Sequence, residues 1–194
     1  MENKYTFFWK TDEHHGAFSQ WYLGAPFVVA GVTYNCAEQF MMHMKAVLFG
    51  DKETALKIMA AKKPYEQKAL GKEVKNFDKK KWDRACFEIV YQGNLAKFSQ
   101  NPELKKLLLG TNKTELVEAS PKDNIWGIGL AAEDPRALDP AQWLGQNLLG
   151  KVLTTLRDDM VEGFRSVCTG HDYDNCDEYF GNQKNCRYCT KIEL

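Results

Sequence analysis

No run of this 194-residue chain is apolar for long enough to span a bilayer. The opening MENKYTFFWK lacks the apolar core of a secretory leader. The expectation is therefore an intracellular protein, cytoplasmic or nuclear, with no membrane partner. Net charge is missing too. Lys plus Arg and Asp plus Glu each number 26, which excludes attachment to nucleic acid by bulk charge alone. Internal repeats and low-complexity tracts are absent, so nothing suggests a solenoid or a flexible linker. What remains is an ordinary globular composition, 44% hydrophobic and 27% charged, with room for one domain and a substantial core.

Against that background three features are unevenly spread. Aromatic residues reach 12%, with five tryptophans and eleven phenylalanines. Of the six cysteines, Cys36 and Cys86 stand alone and four crowd the last stretch. Lys62 to Arg84 holds nine basic residues against four acidic, whereas Asp158 to Glu178 holds seven acidic against one arginine. The zero total hides a basic region and an acidic tail.

Tyr5 to Trp9 reads as a short aromatic strand, and Ala25 to Tyr34 as a hairpin turning at Ala30-Gly31. Asn35 is placed to cap a helix reaching about Phe49, with Glu38 in a capping-box position. Asp51 caps a helix to about Ala61, and Pro64 opens a short one stopped by Gly71. Asp78 caps a longer helix to about Phe98, and Asn101-Pro102 starts another that Gly110 ends. Glu115 to Ala119 and Ile125 to Leu130 are expected strands, separated by a turn from Ser120 to Asn124. The last strong helix is expected over about Gln146 to Val161. From Gly163 onward both periodicities vanish, so the division expected is a domain over residues 1–162 and an appended tail over 163–194.

Glu38 and Lys45 lie seven residues apart on the first expected helix. Two turns put them on one face, about 10 Å apart along the axis. In the plainest view Glu38 is a cap and Lys45 a solvated lysine. In the chemical view an acid and an amine look into one cleft. A carboxyl there can protonate a leaving nitrogen or orient water, and an amine of lowered pKa can attack an electrophilic sugar carbon. Asp123 and Trp126 sit at a strand-to-turn junction able to aim them at a ligand, or else Trp126 is core above a Ser-Pro turn. Gly127-x-Gly129 is a weak phosphate signal. Gly145-Gln-Asn-Leu-Leu-Gly150 opens the last helix, where glycines admit close backbone approach and the helix N-terminus attracts anions; a glycine-containing cap explains it equally well. Ser19, Trp21 and Tyr22, within Phe18-Ser-Gln-Trp-Tyr22, supply a hydroxyl and rings that can stack on a base or ribose or simply pack at the edge of the core. Trp82 has the same two readings.

In order, the chain carries FSQWY, an APF hairpin, Tyr34-Asn-Cys-Ala-Glu38-Gln-Phe, Lys45-Ala-Val-Leu-Phe-Gly50, Ala69-Leu-Gly-Lys and Trp82-Asp83. Lys97-Phe-Ser-Gln-Asn-Pro102, Leu107-Leu-Leu-Gly-Thr, Leu116-Val-Glu-Ala-Ser-Pro, Asp123, Ile125-Trp-Gly-Ile-Gly-Leu-Ala-Ala and Gly145-Gln-Asn-Leu-Leu-Gly150 follow. This series resembles the NADAR (YbiA-like) family over roughly residues 5 to 161. The resemblance implies an α+β fold, a single largely helical domain with small β pieces around one cleft. It implies an N-glycosidase that cuts between a ribose anomeric carbon and an amino nitrogen. Two substrate classes are implied: ADP-ribose on the guanine amino group of nucleic acid, and the phosphorylated ribosylamino-pyrimidine intermediates of riboflavin synthesis. By similarity Glu38, Lys45, Trp82, Asp123, Trp126 and Asn147 fall on positions that line the site. After the glutamate the family pattern is rich in tyrosine and glutamine, whereas here it reads Gln39-Phe-Met-Met-His-Met44, a departure that bears on substrate preference.

The expected catalytic set is Glu38, Lys45 and Asp123, with no cofactor for catalysis. Lys45 attacks the anomeric carbon, or its ring-opened aldehyde, to form an imine; Glu38 gives the leaving nitrogen its proton and then activates water, and Asp123 holds ribose hydroxyls or stabilises the developing charge. In the competing route water attacks directly and Lys45 is only an electrostatic contact. Trp21, Tyr22, Trp82 and Trp126 are the expected stacking surface. Ser19, Gly127, Asn147 and Gly150 are the expected phosphate or sugar contacts. The expected partner is ADP-ribosylated nucleic acid, single-stranded DNA foremost, or a small phosphorylated ribosylamine, with the basic region as a steering surface. In the tail Cys168, His171, Cys176, Cys186 and Cys189 place five potential ligands in 22 residues, four of which would hold a structural zinc. The rivals are a module that binds ADP-ribose without cleaving it and a zinc-stabilised partner-binding module.

Overall fold

Short polar residues ahead of apolar runs start most of the helices. The computed structural model describes residues 4–162. In chain order these form β1 (Tyr5–Phe8), β2 (Phe27–Val29), β3 (Val32–Tyr34), α1 (Ala37–Leu48), α2 (Lys52–Ala60), α3 (Pro64–Lys72), α4 (Lys79–Gln100), α5 (Pro102–Leu109), β4 (Glu115–Glu118) and α6 (Leu148–Val161). The Asp51 carboxylate accepts from Thr54 N–H and that of Asp78 from Lys81 N–H, and Pro64 and Pro102 open α3 and α5 as expected. β2 and β3 form the expected antiparallel hairpin. Its turn residues Ala30 and Gly31 have φ of 49° and 78°, the left-handed pair that a tight hairpin needs. β1 instead pairs in parallel with distant β4, from Tyr5 opposite Glu115 to Phe8 opposite Glu118.

α1 is the central helix and packs on α2, α3 and α4. Phe18, Phe27, Phe40, Phe98 and Ile58 are fully buried, as are Leu116 of β4, Ile128, and Leu149 and Leu153 of α6. Each is worth about 1.5–3 kcal/mol of transfer free energy. Gly71 lies inside α3 rather than stopping it, and it is the residue that fits there, since a Cβ would collide with Met42 Sδ. Contacts group Met1–Arg157 as one compact unit and the chain from Asp158 as a second, of which only residues 158–162 are described. Among the described residues no helix is long and apolar enough to cross a membrane.

Three expectations are corrected here. Glu38 does not cap α1. The N-cap is Cys36, Asn35 N–H donates to Gln39 Oε1 at 2.9 Å, and Glu38 N–H donates to the Gln20 carbonyl at 2.9 Å. Gln39, one residue on, makes the return contact and leaves the Glu38 carboxyl out of the cap. Residues 125–130 are not a strand. Their backbone bonds leave the extended pattern: Ile128 N–H donates to Glu118 O, Gly129 N–H to Asp123 O, and Ile128 O accepts from Leu144 N–H. α6 also begins later than expected, at Leu148, since Asn147 sits at φ 54°, outside helical geometry.

Candidate active site

The first turn of α1 carries Glu38 into the interior, where it is 2% exposed. Its Oε2 accepts from Trp21 Nε1–H at 3.3 Å, and its Oε1 is buried with no hydrogen-bond partner among the described residues. Burial disfavours the ionised form and pushes the carboxyl up to about 7, with the Asp123 charge adding to the rise and Lys68 and the Trp21 bond opposing it. A carboxyl poised there at neutral pH gives and takes protons readily.

Asp123 is held by its own turn. Its Oδ1 accepts from the N–H groups of Ile125 and Trp126 at 3.0 and 2.8 Å, an arrangement to which Asp is suited. Its Oδ2 faces Lys68 Nζ of α3 at 3.5 Å. That ammonium also lies 5.9 Å from the Trp21 ring centroid. Glu118, at the end of β4, is a third acid of this cluster. Its Oε2 is buried and unpartnered, and burial, then the charges of Asp123 and Glu38, raise it to about 8 against the pull of Lys68. The structure thus brings together Glu38, Asp123 and Trp21, as the sequence suggests, and adds Lys68 and Glu118. No local signal marked those two. Lys68 reads as one lysine among many on a basic helix, and Glu118 as the polar face of a strand.

Lys45, two turns along α1, has other company. Its Nζ donates to the Gly71 carbonyl at 2.8 Å and lies 4.4 Å from the Phe77 ring centroid and 5.6 Å from that of Trp82. Burial lowers its pKa, the direction a nucleophilic amine needs. Trp82 is half-buried beside it.

The remaining expected site residues divide by what occupies their polar atoms. Ser19 Oγ accepts from Trp21 N–H at 3.3 Å, and its carbonyl accepts from Lys97 Nζ at 3.0 Å. Lys97 is fully buried on α4 and also donates to Ala17 O, so it fastens the segment carrying Trp21. Tyr22 lies with its ring 5.7 Å from that ammonium. Trp126 is half-buried beside Asp123. Asn147 is a strut: its amide donates to Leu116 O and accepts from Glu118 N–H, both at 3.0 Å, which leaves its side chain committed to β4 rather than to a ligand. Gly150 meets the same strand, where a Cβ would lie 2.1 Å from Leu116 O. A Cβ on buried Gly127 would lie 2.8 Å from Glu118 O. The expected anion site at the start of α6 is closed, because the N–H groups of Leu148 and Leu149 donate to Ile125 O and Trp126 O. These groups hold the loop against β4 instead of cradling phosphate. Cys168, His171, Cys176, Cys186 and Cys189 lie outside the described residues. Among those described, no three His, Cys, Asp or Glu side chains are grouped to hold a metal ion.

A buried acid raised to about 7 beside a second carboxylate, an ammonium and an indole N–H is suited to proton transfer. The NADAR domain model matches residues 7–161. N-glycosidase R617 of Acanthamoeba polyphaga mimivirus is 45% identical over 81% of this chain and 96% of its own length. The riboflavin biosynthesis protein VVA0006 of Vibrio vulnificus is 28% identical over 80% of this chain but 38% of its own. The NMR structure of YbiA from E. coli superimposes with a TM-score of 0.69 and 26% identity, over 88% of this chain and 94% of that one. The chain belongs to the NADAR family, and its largely helical fold with small strands is the family's.

Proposed function

We propose that the chain hydrolyses the bond between ribose C1 and an amino nitrogen, and that its substrate is ADP-ribose carried on guanine in single-stranded DNA. It is a hydrolase of the N-glycosidase class. The observation that carries the proposal is Glu38: a buried carboxyl raised to about 7, with one oxygen free, amid Trp21, Lys68 and Asp123. An amine leaves a sugar only with a proton on its nitrogen, and C1 gains positive charge as it goes. Glu38 moves the proton, and the carboxylates of the cluster stabilise the charge. Trp21 at 38% exposed and half-buried Trp82 supply stacking faces, and the lysines between Lys62 and Arg84 suit a phosphodiester strand. Lys45, with its lowered pKa, forms an imine at C1 that water then releases. No cofactor enters these steps.

The name of the Vibrio relative favours a second substrate class, phosphorylated ribosylamino-pyrimidines. Purified protein, Glu38→Ala and Lys45→Ala are incubated with guanine-ADP-ribosylated oligonucleotide and, in parallel, with such a ribosylamine. Release of ADP-ribose by the wild type alone supports the first class. Cleavage of the ribosylamine only replaces it with the second, and tight binding without cleavage makes the chain a reader. Borohydride added during turnover traps an adduct on Lys45; its absence overturns the imine.

A further inference from the structure

We infer that Glu118 is a second catalytic acid of this site and gives the proton to the departing nitrogen, while Glu38 takes one from the attacking water. The inference rests on the N-glycosidase function above and divides between two groups what a lone carboxyl would do in turn. Two buried side-chain oxygens around the cluster have no partner among the described residues, Glu38 Oε1 on α1 and Glu118 Oε2 on β4. A buried, unsatisfied polar atom is rare enough to need a reason; Lys68 and Asp123 act electrostatically on both carboxyls, and a ligand that engages both oxygens accounts for the two together. The backbone holds Glu118 firmly. Its N–H donates to Asn147 Oδ1 at 3.0 Å and its carbonyl accepts from Ile128 N–H at 2.9 Å. Nothing holds Oε2, so the carboxyl is committed to no structural bond there.

The hydrogen bonds assign the roles: Trp21 Nε1–H donates to Glu38 Oε2 and favours its carboxylate, whereas no described donor reaches Glu118 Oε2, and the charges act in the same direction. Asp123 and Glu38 disfavour ionisation of Glu118 and Lys68 favours it, but burial dominates, leaving it at about 8 against about 7 for Glu38. Near neutral pH Glu38 is the group that ionises and Glu118 the one that keeps its proton, the division that separates base from acid in paired-carboxyl hydrolases. In the cycle the C1–N bond breaks with its electron pair going to nitrogen, which takes the Glu118 proton, while Lys45 Nζ bonds to C1 and sheds a proton to the Glu118 carboxylate to give the imine. Water adds to C1 of the imine and yields a proton to the Glu38 carboxylate. That proton and the new hydroxyl's pass to the Lys45 nitrogen as the C1–Nζ bond breaks and the aldehyde forms, so all three side chains return to their resting states and the net change is addition of one water.

The test compares wild type, Glu118→Gln and Glu38→Gln on two substrates: an N-ribosyl aminopyrimidine, and an N-ribosyl pyridinium whose leaving nitrogen needs no proton. On the first, Glu118→Gln is expected to lose about a hundredfold or more in kcat with little change in KM, and to lose the fall in activity on the alkaline side. On the second, Glu118→Gln is expected to approach wild type while Glu38→Gln stays impaired. Equal impairment of Glu118→Gln on both substrates, or an unchanged alkaline limb, overturns the inference. A substrate-free readout separates the two proposals. Carboxyl 13C NMR of the folded wild type must show Glu118 protonated at pH 7, and titration in the ordinary glutamate range overturns the inference whether or not turnover is seen. Absence of turnover by wild type on every N-riboside, with Glu118 titrating high, counts against the N-glycosidase function alone.

Discussion

The two ends of α1 place a carboxyl and an amine on one helix face, yet their surroundings differ. Glu38 sits among charges and an indole N–H, with one oxygen unclaimed. Lys45 sits between two aromatic rings with its ammonium bound to the Gly71 carbonyl. Burial moves both toward their neutral forms, Glu38 up and Lys45 down. Helical periodicity determines which residues share a face. What each one faces depends on α3, which passes both: Lys68 approaches the acidic end, and Gly71, one turn later, the basic end.

Glu38→Gln breaks the contrast most severely. Activity is expected to fall by about a thousandfold with the fold intact. Stability is expected to rise instead. A carboxyl whose folded value of about 7 exceeds its unfolded 4.5 contributes fully only below 4.5, and stability is lost as pH climbs to about 7. Removing that ionisation is worth up to about 3 kcal/mol at pH 8 and nothing near pH 4.5. Thermal melts at the two pH values check the sign. A variant no more stable than wild type at pH 8 would show that Glu38 is not desolvated as described.

At the other end, Lys45→Arg keeps the charge but not the nucleophile. A loss of about a hundredfold, with no borohydride-trapped adduct, is expected. Activity kept within threefold would reduce Lys45 to an electrostatic contact. Lys68→Met then sharpens the comparison, because it removes a cation that favours ionisation of both Glu38 and Glu118. Both limbs of the pH–rate profile should move to higher pH while Lys45 trapping is unaffected. Trp21→Phe has the smallest expected effect. Loss of the Nε1–H bond raises Glu38 further, shifting the acidic limb upward with a change of only severalfold in kcat. The partly exposed ring limits the stability change to about 1 kcal/mol.

Much of this was legible residue by residue. Asp51, Pro64, Asp78 and Pro102 announced four helices because a cap acts on N–H groups two or three positions away, and the Ala30-Gly31 turn is equally local. The error at residues 125–130 is also local in origin. An apolar run containing Gly127 and Gly129 resembles a strand, but among the described residues it joins neither sheet, and the loop carbonyls are spent on the start of α6. Asn147 and Gly150, expected at a phosphate, instead brace β4, since polar and glycine residues before a helix look alike in both roles. The capping box misled for a subtler reason: Gln39 stands next to Glu38 and can make the same return bond.

By itself the sequence determined the helical framework, the order of motifs that marks the NADAR family, and the placement of Glu38 and Lys45 on one helix face. These follow from short-range periodicity and capping. Only the tertiary structure decided which acids ionise, because desolvation and charge pairing depend on groups far apart in the chain. Lys68 reaches Asp123 across 55 positions, and Glu118 comes under the charge of Glu38 only in the folded chain. Proton affinity at the site is a property of that packing, and no single segment carries it.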